Sequence, residues 1–413
     1  MTFEEKLKKY ALLCIKIGVN LQKGQKLIVQ CPIEHGELAR ILAETAYKEG
    51  AKEVVTLYTD EKMSKIQYEY AADEYFETVP TWKKELLNGY AKEGAALVNI
   101  MSGDPEIFKD VDPKKLSAEL KAKKTELQDF YEEYTYKQRS QWNIIAAPNP
   151  KWAKMVFPND TDEVAVSKLW DAIFESIFMS DGDIIEKWNE HNDMLKKRRK
   201  YLTDMQFKKL HYVNSIGTDF VVNLAQNHIW LGGGDNTSKG VLFFPNIPTQ
   251  EVFTAPDCRY AEGKLVSSLP LSYQGKLIRD FTLWFKDGKV VDYSAVEGYE
   301  TLKMLLDTDE GSKRLGEVAL VPFDSAISNM KTLFYNTLFD ENASCHFALG
   351  RCYPSTISGG DNLSAEELQE IGGNGSINHV DFMVGTEDLT IKGITDAGEE
   401  VTIFRNGNWA IDN

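Results

Sequence analysis

The sequence predicts two domains: an α/β N-terminal domain over residues 1–185, with a doubly wound, mostly parallel sheet, and an α+β C-terminal domain over residues 186–413. Three observations carry this expectation. Apolar runs of strand length alternate with charged, helix-length segments through the first ~180 residues. A charged stretch, "EKWNEHNDMLKKRRKYLTD" from Glu186 to Asp204, breaks that rhythm. Beyond it, short strands recur around turn dipeptides. A chain of 413 residues also exceeds what one small core supports.

Along the chain, Phe3, Leu7, Tyr10, Cys14 and Ile17 recur at alternating spacings of four and three, and so read as the apolar face of a first helix. "KLIVQC", Lys26 to Cys31, has the length and apolar content of a buried strand. "HGELARILAETAYKEG" follows as a helix with Gly50 as its stop, and "EVVTLY" is the next strand, which completes a βαβ unit. "AALVNIMSG" and "WNIIAAPNP" are two further buried strands. The charged stretch from Glu186 reads as a long solvated helix. In the second half, Asp287-Gly288 and Asn406-Gly407 suit hairpin turns that need positive φ at both central positions. "ITDAGEEVTIF" reads as a third hairpin, so pairing there should be largely antiparallel. There is no internal repeat and no low-complexity tract.

Composition excludes some classes of function. Lys plus Arg number 47 against 63 Asp plus Glu, a formal charge of −16, which disfavours nucleic acid or an anionic membrane as the main partner. No run approaches the ~18 apolar residues of a membrane span. The N-terminus mixes charges with apolar residues and does not read as a secretory signal. Five scattered cysteines do not make a disulfide framework in a chain of this size, and a reducing cytoplasm is the expected compartment.

Nucleotide fingerprints are missing. The first strand–helix junction, "VQCPIEHGELAR", lacks the glycines that let a backbone approach a pyrophosphate. The Gly-rich loop "LGGGDNTSKG", Leu231 to Gly240, does not satisfy the P-loop pattern and reads as a tight turn between strands.

Polar residues in apolar surroundings point elsewhere. "INHVDFMVG" puts His379 and Asp381 two apart on a strand, hence on one face. His346 lies in the small-residue context "ENASCHFALG". Of the other histidines, His191 reads as solvated on its charged helix and His35 as flanking the first βαβ helix, while His211 and His228 stay uncommitted. Glu251 in "NIPTQEVFTAPD" and Glu317 in "RLGEVALVPFD" enter segments with few charges. Each residue alone could be a cap, an edge residue or a satisfied core group. An ionised, unpaired carboxylate on a buried strand nevertheless costs several kcal/mol, and neither "GEVALVP" nor "HVDFMVG" contains a lysine or arginine. A shared divalent cation would satisfy all of them. Glu251, Glu317, His346, His379 and Asp381 together carry −3 with neutral imidazoles, which suits two divalent ions and a bridging hydroxide. Nitrogen and oxygen donors without thiolate favour zinc, cobalt or manganese. Cys345 and Cys352 adjoin the set but form no C-x-x-C pair, and strand neighbours face opposite ways.

At these residues the sequence resembles the M29 family of metallo-aminopeptidases, the aminopeptidase T, aminopeptidase S and PepS group, with a particular likeness to PepS of Gram-positive cocci. The matching segments are "QEVFTAPD", "LGEVALVP", "ENASCHFALG" with Tyr353 close behind, and "NHVDFMVG", in the family's order. The resemblance implies an α/β N-terminal domain and a metal-binding C-terminal domain. It implies two divalent ions, zinc, cobalt or manganese with magnesium also compatible, held by Glu251, Glu317, His346, His379 and Asp381. It makes Glu317 the bridging carboxylate, and Glu317 is also a candidate catalytic residue, a general base only if it is not fully committed as that bridge. Tyr353 would be catalytic as a weak ligand or a phenol that stabilises the tetrahedral intermediate. It further implies a homodimer acting on peptides with a free N-terminus.

Glu341, five residues before His346, is an alternative carboxylate for proton transfer or amine binding, and is equally a helix-start charge. Two other functions remain open from sequence. One is a different two-metal amide or ester hydrolase on the same ligands. The other is a non-enzymatic protein with a structural metal, whose site would be closed and inert.

Overall fold

The structure, a computed structural model, describes residues 1–273 and 276–411. Contacts divide the chain into two compact units, Met1–Glu190 with Gly234–Pro248, and His191–Gly233 with Thr249–Asn413. The first unit therefore reaches past residue 185 and takes back a short segment from further along the chain.

The first unit is built on β1 (Lys26–Pro32), β2 (Glu53–Thr59), β3 (Ala96–Met101) and β4 (Trp142–Ala146). All three pairings are parallel and the order is β2-β1-β3-β4, so the winding reverses at β1, as in a doubly wound sheet. Leu27, Ile28 and Val29 are fully buried, as expected of an inner strand covered on both faces. Local chemistry sets the helices that follow. Thr2 and Glu5 close a capping box on the helix Phe3–Leu13, and Asp60 caps Glu61–Tyr70 through two backbone N–H groups. Gly50, at φ 98°, ends the helix Gly36–Lys48 as anticipated. The Gly-rich loop leads into a small hairpin, β7 (Asp235–Asn236) with β8 (Leu242–Phe243), consistent with a turn between strands.

The second unit is α+β with antiparallel pairing throughout its described strands. β5 (Lys209–Val213) and β6 (Asp219–Leu224) come first, then β9 (Val252–Thr254), β10 (Pro256–Val266), β11 (Leu271–Tyr273), β12 (Lys276–Ile278), β13 (Thr282–Lys286) and β14 (Lys289–Ser294). β15 (Leu315–Leu320), β16 (His346–Gly350), β17 (His379–Met383), β18 (Thr390–Ile394), β19 (Glu400–Arg405) and β20 (Asn408–Trp409) complete the set. Eight strands form one sheet in the order β14-β13-β10-β6-β5-β18-β19-β20, and four form another in the order β17-β16-β15-β9. The three expected hairpins are present: Asp287 and Gly288 at φ 50° and 73° join β13 to β14, Asn406 and Gly407 at 50° and 70° join β19 to β20, and β18 turns into β19. Aromatic rings weld the two sheets. Phe347 on β16 packs on Tyr212 and Phe220 at 5.0 and 5.5 Å, and Phe382 on β17 meets Phe281 at 5.6 Å.

One expectation needs correction. The helix Ile184–Met205 is not solvated all round: Ile184, Trp188, His191, Leu195, Arg198 and Leu202 are all buried. They recur at spacings of four and three, so the stripe is regular. A histidine and an arginine occupy two of its positions, which hid the stripe among the surrounding charges. His191 is accordingly not a surface group: it is 6% exposed, and its Nε2 lies 2.8 Å from the Thr249 carbonyl.

Candidate metal centre

The four-stranded sheet explains why polar groups collect on it. Register pairs Glu317 of β15 with Ala348 of β16, and Ala348 with Asp381 of β17. The same register sets Gly350 opposite His379, and His346 lies two residues before Ala348 on its own strand. Side chains of one strand face repeat every second residue, so all these positions share a face. The opposite face carries Val318, Leu320, Phe347, Leu349 and Phe382 into the core. The residues between the charged groups are an alanine and a glycine. Space that larger side chains would fill is left to the carboxylates and imidazoles.

The resulting distances are short. His346 Nε2 lies 3.1 Å from Glu251 Oε2 and 3.4 Å from Glu317 Oε1. His379 Nε2 lies 3.7 Å from Glu317 Oε2 and 3.4 Å from Asp381 Oδ1. Two donor triplets result, Glu251–Glu317–His346 and Glu317–His379–Asp381, each with ligand atoms within 4.8 Å of one another. Glu317 belongs to both and turns one oxygen to each.

Each imidazole is oriented by its other nitrogen. His346 Nδ1 lies 3.0 Å from the Ser344 carbonyl and His379 Nδ1 2.7 Å from that of Arg351. A carbonyl only accepts, so Nδ1 carries the proton in both rings. Nε2 then aims at carboxylates either as a bare lone pair or as the second N–H of an imidazolium. In the first state, lone pairs face lone pairs unless a cation lies between them. In the second, burial opposes the charge, but the carboxylates outweigh it and hold His346 well above the usual imidazole range. His379 is pushed up to about 9 by the same balance, with burial opposed by Asp381 and Glu317. Burial raises Glu317, while His379 keeps Asp381 below its ordinary value despite burial.

The donor set fits divalent cations. Glu251 Oε2 and Asp381 Oδ1 are buried with no hydrogen-bond partner, although imidazole nitrogens lie nearby. Among the described residues, the basic groups that pair with Glu251, Glu317 and Asp381 within 4 Å are the two imidazoles alone. Orphaned carboxylate oxygens and imidazoles with fixed Nδ1–H are the arrangement a metal completes. The cysteines do not contribute. Cys345 Sγ turns away to the Val321 backbone, at 3.2 Å from its oxygen and 3.4 Å from its nitrogen.

Tyr353 follows β16 and sets its ring 4.8 Å from that of His379, with the residue 49% exposed. Glu341, which sequence left without a role, opens the short 3-10 turn Glu341–Ala343. Burial, then the charges of Glu251 and Asp381, raise its carboxyl well above the ordinary value. Sequence reasoning also missed Asp309. Its carboxylate accepts from Ile377 N at 2.8 Å and from Ser312 N at 2.7 Å, which fixes the segment leading into His379. Nothing distinguishes it in the sequence from the neighbouring surface acids.

Comparison with known proteins now adds its weight. The model of the thermophilic metalloprotease family M29 matches residues 3–409. The chain belongs to the M29 family. Aminopeptidase 2 of Geobacillus stearothermophilus is 46% identical over 99% of both chains, and aminopeptidase PepS of Streptococcus thermophilus 40% identical over 99% of both. The solved structure of wild-type AmpT from Thermus thermophilus superposes with a TM-score of 0.92 at 38% identity, covering 99% of this chain and all of that one. This M29 protein is thus a peptide-bond hydrolase of a metal-dependent class, and its two-unit α/β architecture is that of a solved relative.

Proposed function

We propose that this protein is a two-metal aminopeptidase, with Glu251, Glu317, His346, His379 and Asp381 as ligands, acting as a cytoplasmic homodimer on peptides with a free N-terminus. The observation that carries the reading is the sharing of Glu317 between two donor triplets, one oxygen to each. Relatives named aminopeptidases along the full length support the substrate class. Five buried free cysteines suit a reducing compartment, and no described helix is long and apolar enough to cross a membrane.

When bound, two divalent ions lower the pKa of a shared water and polarise the scissile carbonyl. The chain's own groups do the rest. Both oxygens of Glu317 are engaged, so proton transfer falls to Glu341, whose carboxyl is raised by burial and by its acidic neighbours. Positive charge held by the ligand carboxylates would offset the acidic neighbours, though not the burial, and so would favour the ionised form of Glu341 that accepts the proton of the attacking water. The same group then returns the proton to the leaving amine. The phenol of Tyr353 beside His379 donates to the carbonyl oxygen as negative charge develops there. The lone pair of a neutral substrate α-amine would also find a place at a bound ion, which would confine cleavage to the first residue.

The test is hydrolysis of arginyl-p-nitroanilide by chelator-stripped enzyme, before and after cobalt or zinc is added, beside the N-acetylated twin. Metal-restored cleavage of the free-amine compound alone is expected. Cleavage of both compounds would favour a general two-metal amide hydrolase. Silence across a panel of free-amine residues would remove the aminopeptidase reading.

A further inference from the structure

Asn342 is 1% exposed and lies between two segments that the site depends on. Its Oδ1 accepts from Gln250 N at 2.6 Å, the backbone group immediately before the candidate ligand Glu251. Its Nδ2 donates to the Leu338 carbonyl at 2.9 Å, and also reaches Glu341 Oε1 at 3.4 Å. An N–H needs an oxygen and a carbonyl needs a donor, so the two strong bonds fix which way the amide points. Glu341 therefore always meets the donor end. The Glu341 bond itself is long and weak, while the anchors that aim it are short and buried.

We propose that Asn342 is a positioning residue: it locks the turn carrying Glu341 to the Gln250–Glu251 segment, and so sets the proton-transfer carboxylate against the ligands. This rests on the role given to Glu341 above. A buried amide with anchors on two separate segments is well suited to the task. It holds both backbones, and it stabilises the ionised carboxylate with a donor rather than a competing charge. Lysine in that position would instead neutralise the base.

The experiment is a double-mutant cycle on kcat with metal-loaded enzyme and a free-amine substrate, using Asn342→Ala, Glu341→Gln and the double variant. Asn342→Ala is expected to lower kcat about 10- to 100-fold with KM within about twofold, the scale of a catalytic group displaced by up to an ångström. In the Glu341→Gln background the same change should cost less than about twofold, because the group it positions is already gone. Metal content and the melting transition of each variant are read alongside. Asn342→Ser, which keeps a short acceptor and loses the donor that reaches Glu341, serves if the alanine variant does not fold. An unchanged kcat, a loss confined to KM, full additivity with Glu341→Gln, or a fall in kcat that follows lost metal would each overturn the proposal. Failure of the aminopeptidase reading shows separately, in the wild-type enzyme with the acetylated and free substrates.

Discussion

His379 has its Nδ1 committed to the Arg351 carbonyl and its Nε2 turned to Glu317 and Asp381, the orientation of a metal-ligating imidazole. Replacing it with alanine should remove about one of two metal equivalents. It should also lower kcat/KM by more than about a hundredfold, beyond what the loss of an outer-shell partner costs. The matched control is Cys345→Ser, with a sulfur that bonds to the Val321 backbone on the other side of the strand. Metal analysis of both variants decides the point, and full occupancy in His379→Ala would take the residue out of the site. A second test concerns Asp340, whose carboxylate accepts from Phe334 N at 2.7 Å and Asn336 N at 3.0 Å. Burial raises its pKa from 3.8 to about 7 although those N–H groups oppose the rise. The folded state then holds a proton that the unfolded state releases, so this group's stabilisation is fully present below pH 3.8 and is lost as pH rises to about 7. The stability difference between wild type and Asp340→Asn should shrink over that interval and level off above it, as followed by denaturant titration at several pH values. A constant difference would refute the assignment. Residues of this kind explain the limits of sequence reading. Asn342 and Asp309 gain their meaning from backbone groups far along the chain, and Asp340 from its burial, whereas His379 and Asp381 declared themselves by sharing a strand face.

At the scale of elements, β16 is the strand on which the site depends, since it separates Glu317 from Asp381 and carries His346 itself. Its last residue, Gly350, has φ 109°, and a Cβ there would lie 2.3 Å from the Asn378 carbonyl oxygen. Both facts require glycine, because L side chains are strained in that conformation and the neighbouring backbone cannot yield cheaply. Gly350→Ala should therefore cost roughly 1–3 kcal/mol of stability. It should also weaken metal binding, because the displaced neighbour leads directly into His379. Thermal melts with and without added metal separate the two effects, and wild-type affinity in a destabilised variant would detach β16 geometry from the site. Elements were legible where their signal is local. The Asp287-Gly288 and Asn406-Gly407 turns, and the apolar runs of β1 and β3, follow from a few neighbouring residues. The order β17-β16-β15-β9 does not, because its paired strands are separated by tens of residues of other structure and their pairing is set only by tertiary packing. The helix Ile184–Met205 was misread as solvated because His191 and Arg198 occupy its buried stripe.

For the whole molecule, the consequence of the site's location is asymmetry between its two units. All five candidate ligands, with Tyr353 and Glu341, fall in the unit of His191–Gly233 and Thr249–Asn413. Without cations, three carboxylates and two imidazoles crowd on one sheet face, and the protons they need must come from solvent. Burial raises Glu317 and Glu341, which shows that ionised forms are costly there. Metal binding relieves that cost only in the folded state. At a free metal concentration a hundredfold above Kd it adds about 2.7 kcal/mol to folding. Hydrogen exchange should register this gain unevenly. Stripping the protein with a chelator should speed amide exchange in β15, β16 and β17 by up to about a hundredfold, when exchange there proceeds through opening of the site. The parallel strands β1 to β4, which hold none of the ligands, should exchange at unchanged rates. Equal acceleration in both units would mean that they open as one cooperative body, with the metals stabilising the whole chain. No acceleration in β15 to β17 would mean that the carboxylates and imidazoles satisfy one another without metal, and the donor set would then be a matter of folding rather than catalysis.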